Sequence, residues 1–406
     1  MRILFLDPFH GGSHAAVAEG YAAHSRHEVT LLTLSQTGGW RWRMRGAAVT
    51  LARQTRELMR TEGTSGIASS SGPRSSFDLI VATDMLDLAT FLGLTRDITA
   101  RIPVALYFHE NQLTYPLPAG RKLDLSFPWI NYTSALAADM LCFNSDFHRR
   151  AFLEALPGLV GRFHDHQELD LLPMLEAKAH VLPPGIDLKR LDTLQGDQET
   201  RRPGDQETSP NTLPISPSPC LPVSSDSPVI LWNSRWEYDK QPATFFEALA
   251  ELEARGVDFR VIVIGEHIDP QAPDFVDAHE KFGSRALAWG YAADLETYRR
   301  RLWQADIVVS TAIQEFFGIS VIEAMYCGCV PILPQRLSYP ELLPQEFHST
   351  CLYNTFEELV DKLQAAIEHL PALRQRWFGA VAAHFDWSQM ASHYDDLFER
   401  AAQAAR

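Results

Sequence analysis

Two carboxylates, Glu315 and Glu323, bracket a small, mostly apolar stretch that reads E-F-F-G-I-S-V-I-E. Residues 305–311 before it have the character of a short buried strand, and residues 318–325 that of a helix. Strand, glycine turn and helix is how an open α/β sheet places a ligand. The helix N-terminus aims backbone N–H groups at an anion. Glu323, further along the same helix, can accept hydrogen bonds from sugar hydroxyls. Alone, the pair also fits an acid opening a helix, where the macrodipole favours it, and a second acid one face over.

Arg235 and Lys240 follow the apolar run V-I-L-W-N and precede a helix over 242–255. Two cations at the mouth of a sheet can clamp a diphosphate, the arginine bidentate and the lysine as a point charge. They would also stabilise charge growing on a leaving phosphate. Surface basics would look the same in isolation. A second polar group sits at the end of the apolar strand 104–108: His109, Glu110, Asn111 and Gln112. Packing alone does not call for four polar residues there, so they are candidates for a site. The run D-P-F-H-G-G-S-H, residues 7–14, joins a first strand to a helix over 15–24. Gly11, Gly12 and His14 form a turn that can cradle a ligand or simply require small residues. It is not G-x-G-x-x-G, so no dinucleotide fingerprint is present.

A third group is basic and aromatic. Trp40, Arg41, Trp42, Arg43 and Arg45 are followed by Arg53, Arg56 and Arg60, six arginines within twenty residues of an acidic chain. Arginines fork onto phosphates and tryptophans stack on bases, so the island is a candidate RNA contact. A solvated helix face with tryptophans packed beneath gives the same pattern. His164-Asp165-His166 reads as surface rather than metal site, because no further ligand accompanies it.

The elements that must hold these groups alternate strand and helix twice over, which predicts two doubly wound α/β units. A chain of 406 residues is long enough for two cores. The expected divisions are a Rossmann-like unit over 1–190, a disordered Pro/Ser-rich linker over 191–228, a second such unit over 229–375 and a C-terminal helix over 376–406. The linker contains the repeat G-D-Q-E-T twice and cannot bury a core. Residues 61–76, rich in Gly and Ser, read as a loop. No apolar run is long enough to span a bilayer. Five scattered cysteines without C-x-x-C point to a reducing cytoplasm. A net charge of −15 argues against nonspecific nucleic-acid binding by the whole surface, though not by a local patch.

The E-x7-E spacing resembles that of retaining, nucleotide-sugar-dependent glycosyltransferases of the GT-B fold. That resemblance implies two facing Rossmann-like domains with a cleft between them. It also implies that the first is the acceptor domain, the second the nucleotide-sugar domain, and that the last helix crosses back to the first. A narrower one covers nearly the whole chain. D-P-F-H-G-G-S-H, W-R-W-R-M-R-G, F-H-E-N-Q-L-T-Y-P and N-S-R-W-E-Y-D-K resemble the tRNA-queuosine α-mannosyltransferases, also described as glycosyltransferase-like domain-containing proteins. Two positions depart from the wider group: Asn233-Ser234 stands where glycine is usual in G-R-x-x-x-x-K, and Phe316 where glycine commonly follows the first acid. The resemblance implies transfer of mannose from GDP-mannose to queuosine in tRNA-Asp, with retention and without a cofactor or metal. It places Arg235 and Lys240 on the diphosphate, and Glu323, Phe317 and Gly318 around the donor ribose and sugar. Glu315 and His109 then lie at the transferred sugar, and Gly11, Gly12, His14, Glu110 and Asn111 at the acceptor or sugar. Two alternatives stand beside it: a lipid or glycan acceptor, and a noncatalytic binding protein of the same fold.

Overall fold

The computed structural model describes residues 1–37, 39–64, 77–116, 120, 122–162, 164–192, 227–266 and 273–404. The linker expected over 191–228 therefore falls almost wholly outside the described residues. The chain divides into two compact units, one of residues 1–187 with 385–406 and one of residues 188–384.

In the first unit the strands are β1 (Arg2–His10), β2 (Glu28–Ser35), β3 (Leu79–Thr83), β4 (Val104–Phe108), β5 (Met140–Phe143) and β6 (Ala179–Val181). The helices between them are α1 (Gly12–His24), α2 (Trp40–Thr64), α3 (Leu88–Thr99), α4 (Ser126–Ala137), α5 (Asp146–Val160) and α6 (Leu172–Ala177). The sheet is parallel in the order β2-β1-β3-β4-β5-β6. Its central strands are apolar runs because helices cover both faces. Alternation sorts β1 cleanly: Leu4 and Leu6 join the core with Ile80, Phe91 and Phe152. Ile3 and Phe5 join the opposite core with Leu79, Val17 and Tyr21.

That second core is completed from the end of the chain. The last helix of the chain, α15 (Trp387–Ala404), lays Trp387, Tyr394, Leu397 and Phe398 into it. Trp387 sits between two glycines. A Cβ on Gly20 would lie 1.9 Å from its indole nitrogen, and one on Gly185 2.4 Å from its ring. Glycine at both positions is thus required by the ring between them. Asp395 then accepts from the Tyr21 hydroxyl at 2.9 Å and from Ser25 Oγ at 2.6 Å.

The second unit contains β7 (Val229–Asn233), α7 (Pro242–Ala254), β8 (Arg260–Ile264), α8 (Pro273–Phe282), β9 (Ala286–Gly290) and α9 (Leu295–Gln304). It continues with β10 (Ile307–Val309), α10 (Ile319–Tyr326), β11 (Val330–Pro334), α11 (His348–Cys351), β12 (Leu352–Tyr353) and α12 (Phe356–Glu368). Two short helices, α13 (Leu370–Arg374) and α14 (Phe378–Ala383), close it. The sheet is again parallel, in the order β12-β11-β10-β7-β8-β9.

Three boundaries differ from the sequence reading. α1 begins at Gly12, which takes φ +52°, rather than beyond the glycine turn. α2 runs to Thr64, past the expected start of the loop at 61. The helix expected over 376–406 is interrupted, with Trp377 at φ +37° and a bridge between Ile186 and Asp386. Among the described residues no helix is long and apolar enough to cross a membrane.

Candidate active site

In each sheet the strand order reverses at one place, and ligands of doubly wound sheets bind at the carboxyl ends of the strands there. In the first unit that place lies between β1 and β3. Asp7, near the end of β1, is fully buried. Its carboxylate lies 2.8 Å from His10 Nδ1 and 3.3 Å from His14 Nδ1, and accepts from Thr83 Oγ1 at 3.3 Å. Burial works to raise its pKa, but the hydrogen bonds and charge of His14, with His10, hold it at about 2. Burial would lower His14, and Asp7, with Asp84 adding, raises it instead. The His14 ring stacks on that of His109 at 3.9 Å between centroids. Burial and then the charge of His14 push His109 well below its ordinary value. The two stacked rings are thus shifted in opposite directions, His14 towards its protonated form and His109 towards its neutral one.

Asp84, one residue past β3, fixes His109 by accepting its backbone N–H at 2.9 Å. The other Asp84 oxygen and His109 Nε2 are buried and have no hydrogen-bond partner among the described residues. Burial pushes the Asp84 carboxyl up to about 7, His14 opposing and Glu110 adding. Asn144 donates to the His109 carbonyl at 2.8 Å and meets His148 Nδ1 at 2.7 Å. Its neighbour Ser145 caps α5 by accepting from the His148 N–H. Ser145, and not Asn144, is therefore the cap of that helix. Glu110 accepts from Gln112 Nε2 at 2.8 Å. Asn111 turns its carbonyl back onto the N–H groups of Leu113 and Thr114, which fixes the loop.

In the second unit the reversal lies between β7 and β10. Lys240, 75 positions before Glu315, comes to it there. Its ammonium donates to the Gln314 carbonyl at 2.7 Å and lies 3.4 Å from Glu315 and 3.3 Å from Asp239. Burial would lower the Lys240 pKa; Glu315 and Asp239 outweigh it and the net shift is upward. Glu315 also accepts from the N–H groups of Phe316 and Phe317 at 3.2 and 3.4 Å. Gly318 sits at φ +110°, and its Cβ would crowd Leu342 at 3.2 Å. That left-handed turn starts α10, which carries Glu323. Arg235 is half-exposed, 3.4 Å from Glu237.

Glu323 is buried, and both its oxygens have partners within the protein. Arg190 donates to one, and the Tyr298 hydroxyl donates to the other at 2.6 Å. Asn233 Nδ2 donates in turn to the Tyr298 oxygen at 2.8 Å. The expected ribose acceptor is thus held by its own unit, and the Asn233 departure acquires a physical reason. Asp7, Asp84, Arg190 and Tyr298 were missed by sequence reasoning. Asp7 and Asp84 at least carry the signal of an acid ending an apolar strand.

The basic island opens α2. The structure turns two of its five candidates inward. Trp40 packs on Phe127 at 4.9 Å, and Arg43 reaches back to the Thr37 carbonyl at 2.7 Å. Trp42 is 69% exposed, and Trp42, Arg45, Val49, Arg53, Arg56 and Arg60 are all exposed at helical spacing, forming one face. Arg45 faces Asp124, Arg56 faces Asp97 and Arg60 faces Glu57. Asp165 and His166 are exposed, and among the described residues no group of three or more His, Cys, Asp or Glu could hold a metal ion.

Comparison with known proteins bears on the family and the fold. A family model described as tRNA-queuosine alpha-mannosyltransferase N-terminal matches residues 2–186, and one described as Glycosyl transferases group 1 matches residues 221–378. The chain is 33% identical over 371 residues to the tRNA-queuosine alpha-mannosyltransferase of Drosophila melanogaster, covering 89% of this chain and 86% of that one. It is 25% identical over 186 residues to the GDP-mannose:cellobiosyl-diphosphopolyprenol alpha-mannosyltransferase of Xanthomonas oryzae, covering 42% of this chain and 47% of that one. Among solved structures it resembles the sucrose-phosphate synthase of Thermosynechococcus elongatus (TM-score 0.67, 16% identity, all of both chains). It also resembles Anabaena HepE in complex with UDP (TM-score 0.62, 16% identity, 98% of this chain and 100% of that one). The fold is of the GT-B type.

Proposed function

Since the chain belongs to the tRNA-queuosine alpha-mannosyltransferase family, we propose that this glycosyltransferase moves mannose from GDP-mannose to queuosine in tRNA-Asp, with retention, in the cytoplasm. The observation that carries the reading furthest is the meeting of Lys240 and Glu315 at the strand-order reversal of the second sheet. A cation and an acid side by side there match a donor with a diphosphate and a hydroxyl-rich sugar.

In this reading Lys240 and Arg235 take the diphosphate, Glu315 the sugar hydroxyls and Glu323 the ribose. Phe317 and Gly318 shape the turn around the donor. His109, fixed by Asp84 and His14, faces the transferred sugar. Gly11, Gly12, His14, Glu110 and Asn111 border the acceptor. The bond from the anomeric carbon to the phosphate oxygen breaks. A bond to the acceptor oxygen forms on the same face, and the acceptor's proton passes to the leaving diphosphate. The two cations stabilise the departing charge, and the reading uses no metal or cofactor.

The direct test is nucleoside mass spectrometry of queuosine-containing tRNA-Asp incubated with the protein and a panel of GDP- and UDP-sugars. The expected result is one added hexose with GDP-mannose. Donor hydrolysis that needs Glu315 and Lys240, with no addition to tRNA, would keep the glycosyltransferase and discard this acceptor. A lipid or glycan acceptor, as in the diphosphopolyprenol enzymes similar over 186 residues, would then stand.

The outward face of α2 is the proposed tRNA contact. Trp42→Ala with Arg53→Glu should weaken tRNA binding about tenfold in moderate salt and lower the slope of log affinity against log salt by roughly one. GDP binding should not change. Equal tRNA affinity in parent and variant would leave the face a solvated helix surface.

A further inference from the structure

The contact between Arg190 and Glu323 has no counterpart in the motifs that mark the donor site. The two residues are 133 positions apart, and nothing around Lys189–Leu191 in the sequence signals a ligand. Yet the short turn that carries Arg190 is fixed in place. Trp303 Nε1 donates to the Leu191 carbonyl at 2.8 Å, Arg299 donates to the Asp192 carbonyl at 2.8 Å, and the Tyr326 hydroxyl donates to the Asp192 carboxylate at 2.7 Å. Three side chains from α9 and α10 thus strap the segment to the helices that present Glu323 and Tyr298. The Arg190 side chain is 40% exposed against 5% for Glu323, so the guanidinium is the more accessible partner.

The chemistry of this arrangement is specific. A buried carboxylate without a countercharge is costly to keep ionised. Arg190 supplies the countercharge on one oxygen, and Tyr298, oriented by Asn233, supplies a neutral donor on the other. An ionised carboxylate offers about four lone-pair sites. Among the described residues one donor reaches each oxygen, which leaves a lone pair on each, the pattern that two neighbouring ribose hydroxyls require. We infer that Arg190 is a donor-positioning residue. It holds Glu323 turned so that the remaining lone pairs receive the ribose hydroxyls of a nucleoside diphosphate. The inference rests on the reading that places Glu323 at the ribose.

Calorimetric binding of GDP and its 2′-deoxy and 3′-deoxy analogues tests it without acceptor or turnover. The parent should bind GDP about tenfold more tightly than at least one analogue. Arg190→Ala should lose about tenfold for GDP and little more for that analogue, because residue and hydroxyl act through one carboxylate and their effects are not additive. Arg190→Lys, which keeps the charge without the fork, should fall between. Tyr298→Phe, which removes the other fixed donor, should blunt the same discrimination. Arg190→Ala and Arg190→Lys variants that bind GDP like the parent, or that still discriminate fully, would overturn the inference. Tighter binding in Arg190→Ala would also overturn it, making Arg190 an occluding contact. A parent that binds GDP but ignores both deoxy changes would instead fail the placement of Glu323 at the ribose, and the inference with it.

Discussion

Replacing Lys240 by alanine is expected to lower turnover by about 10²–10³-fold per folded molecule, as losing one preorganised donor to a developing oxyanion does. The size follows from charge and burial. A cation about 4 Å from a phosphate oxygen, at an effective dielectric near 20, contributes on the order of 4 kcal/mol. Lys240 is buried, and burial would favour its neutral form, but Glu315 and Asp239 raise its pKa and keep it charged. Its three donors already have acceptors, the Gln314 carbonyl at 2.7 Å and the two carboxylates at 3.4 and 3.3 Å. In the proposed function a diphosphate would engage Lys240 by replacing one of the two longer contacts, while the short one holds the side chain in place. Alanine would also leave Glu315 and Asp239 without this cation, so a loss of stability is expected beside the loss of rate. The two separate by measuring kcat and the melting transition together. A destabilised variant with parental kcat would make Lys240 a structural counter-ion. Arg235, half-exposed and screened by water, should cost less on the same substitution.

What the sequence reveals of this protein divides along a physical line. The central strands are legible because parallel strands covered on both faces are unbroken apolar runs, as in V-I-L-W-N and R-V-I-V-I. The residues that end those strands are legible as candidates, because polar groups after such runs lie at the carboxyl edge. His109, Lys240 and Glu315 were found that way. Pairing is not legible. That Lys240 meets Glu315, or His14 stacks on His109, depends on which strands neighbour each other, and strand order is not written in any local pattern. Arg190 is the extreme case, since only the fold brings its turn to Glu323. Direction along a helix is partly legible. The α2 island was read as one basic cluster, but the 3.6-residue period sends Trp40 and Arg43 inward and leaves Trp42 and Arg45 outward. Helix ends near glycine were misplaced because Gly11-Gly12 reads as a turn, whereas Gly12 at φ +52° already opens α1.

Asp84→Asn should stabilise the first unit at pH 8 and leave it unchanged below about pH 4. Asp84 is fully buried, and burial, with Glu110 adding against His14, raises its folded pKa from 3.8 to about 7. Between those two values the folded chain binds a proton that the unfolded chain has released. Stability therefore falls as pH rises through that window and is level above it. At about 1.4 kcal/mol per unit, the ionised residue costs the fold on the order of a few kcal/mol at pH 8. The cost is reduced to the extent that His14, whose pKa Asp84 helps to raise, is protonated. Asparagine keeps an oxygen to accept the His109 N–H, which Asp84 receives at 2.9 Å, and copies the neutral acid elsewhere. A chain of two units need not melt in one step, so amide hydrogen exchange in β3 and β4 is the appropriate measurement. Slower exchange in the variant at pH 8, shrinking towards pH 4, is the expected result. Exchange unchanged at pH 8 would mean that Asp84 ionises there without cost, its second oxygen served by a partner. The residue that fixes His109 would then owe nothing to protonation, and the acid would stand beside His14 as an ordinary carboxylate.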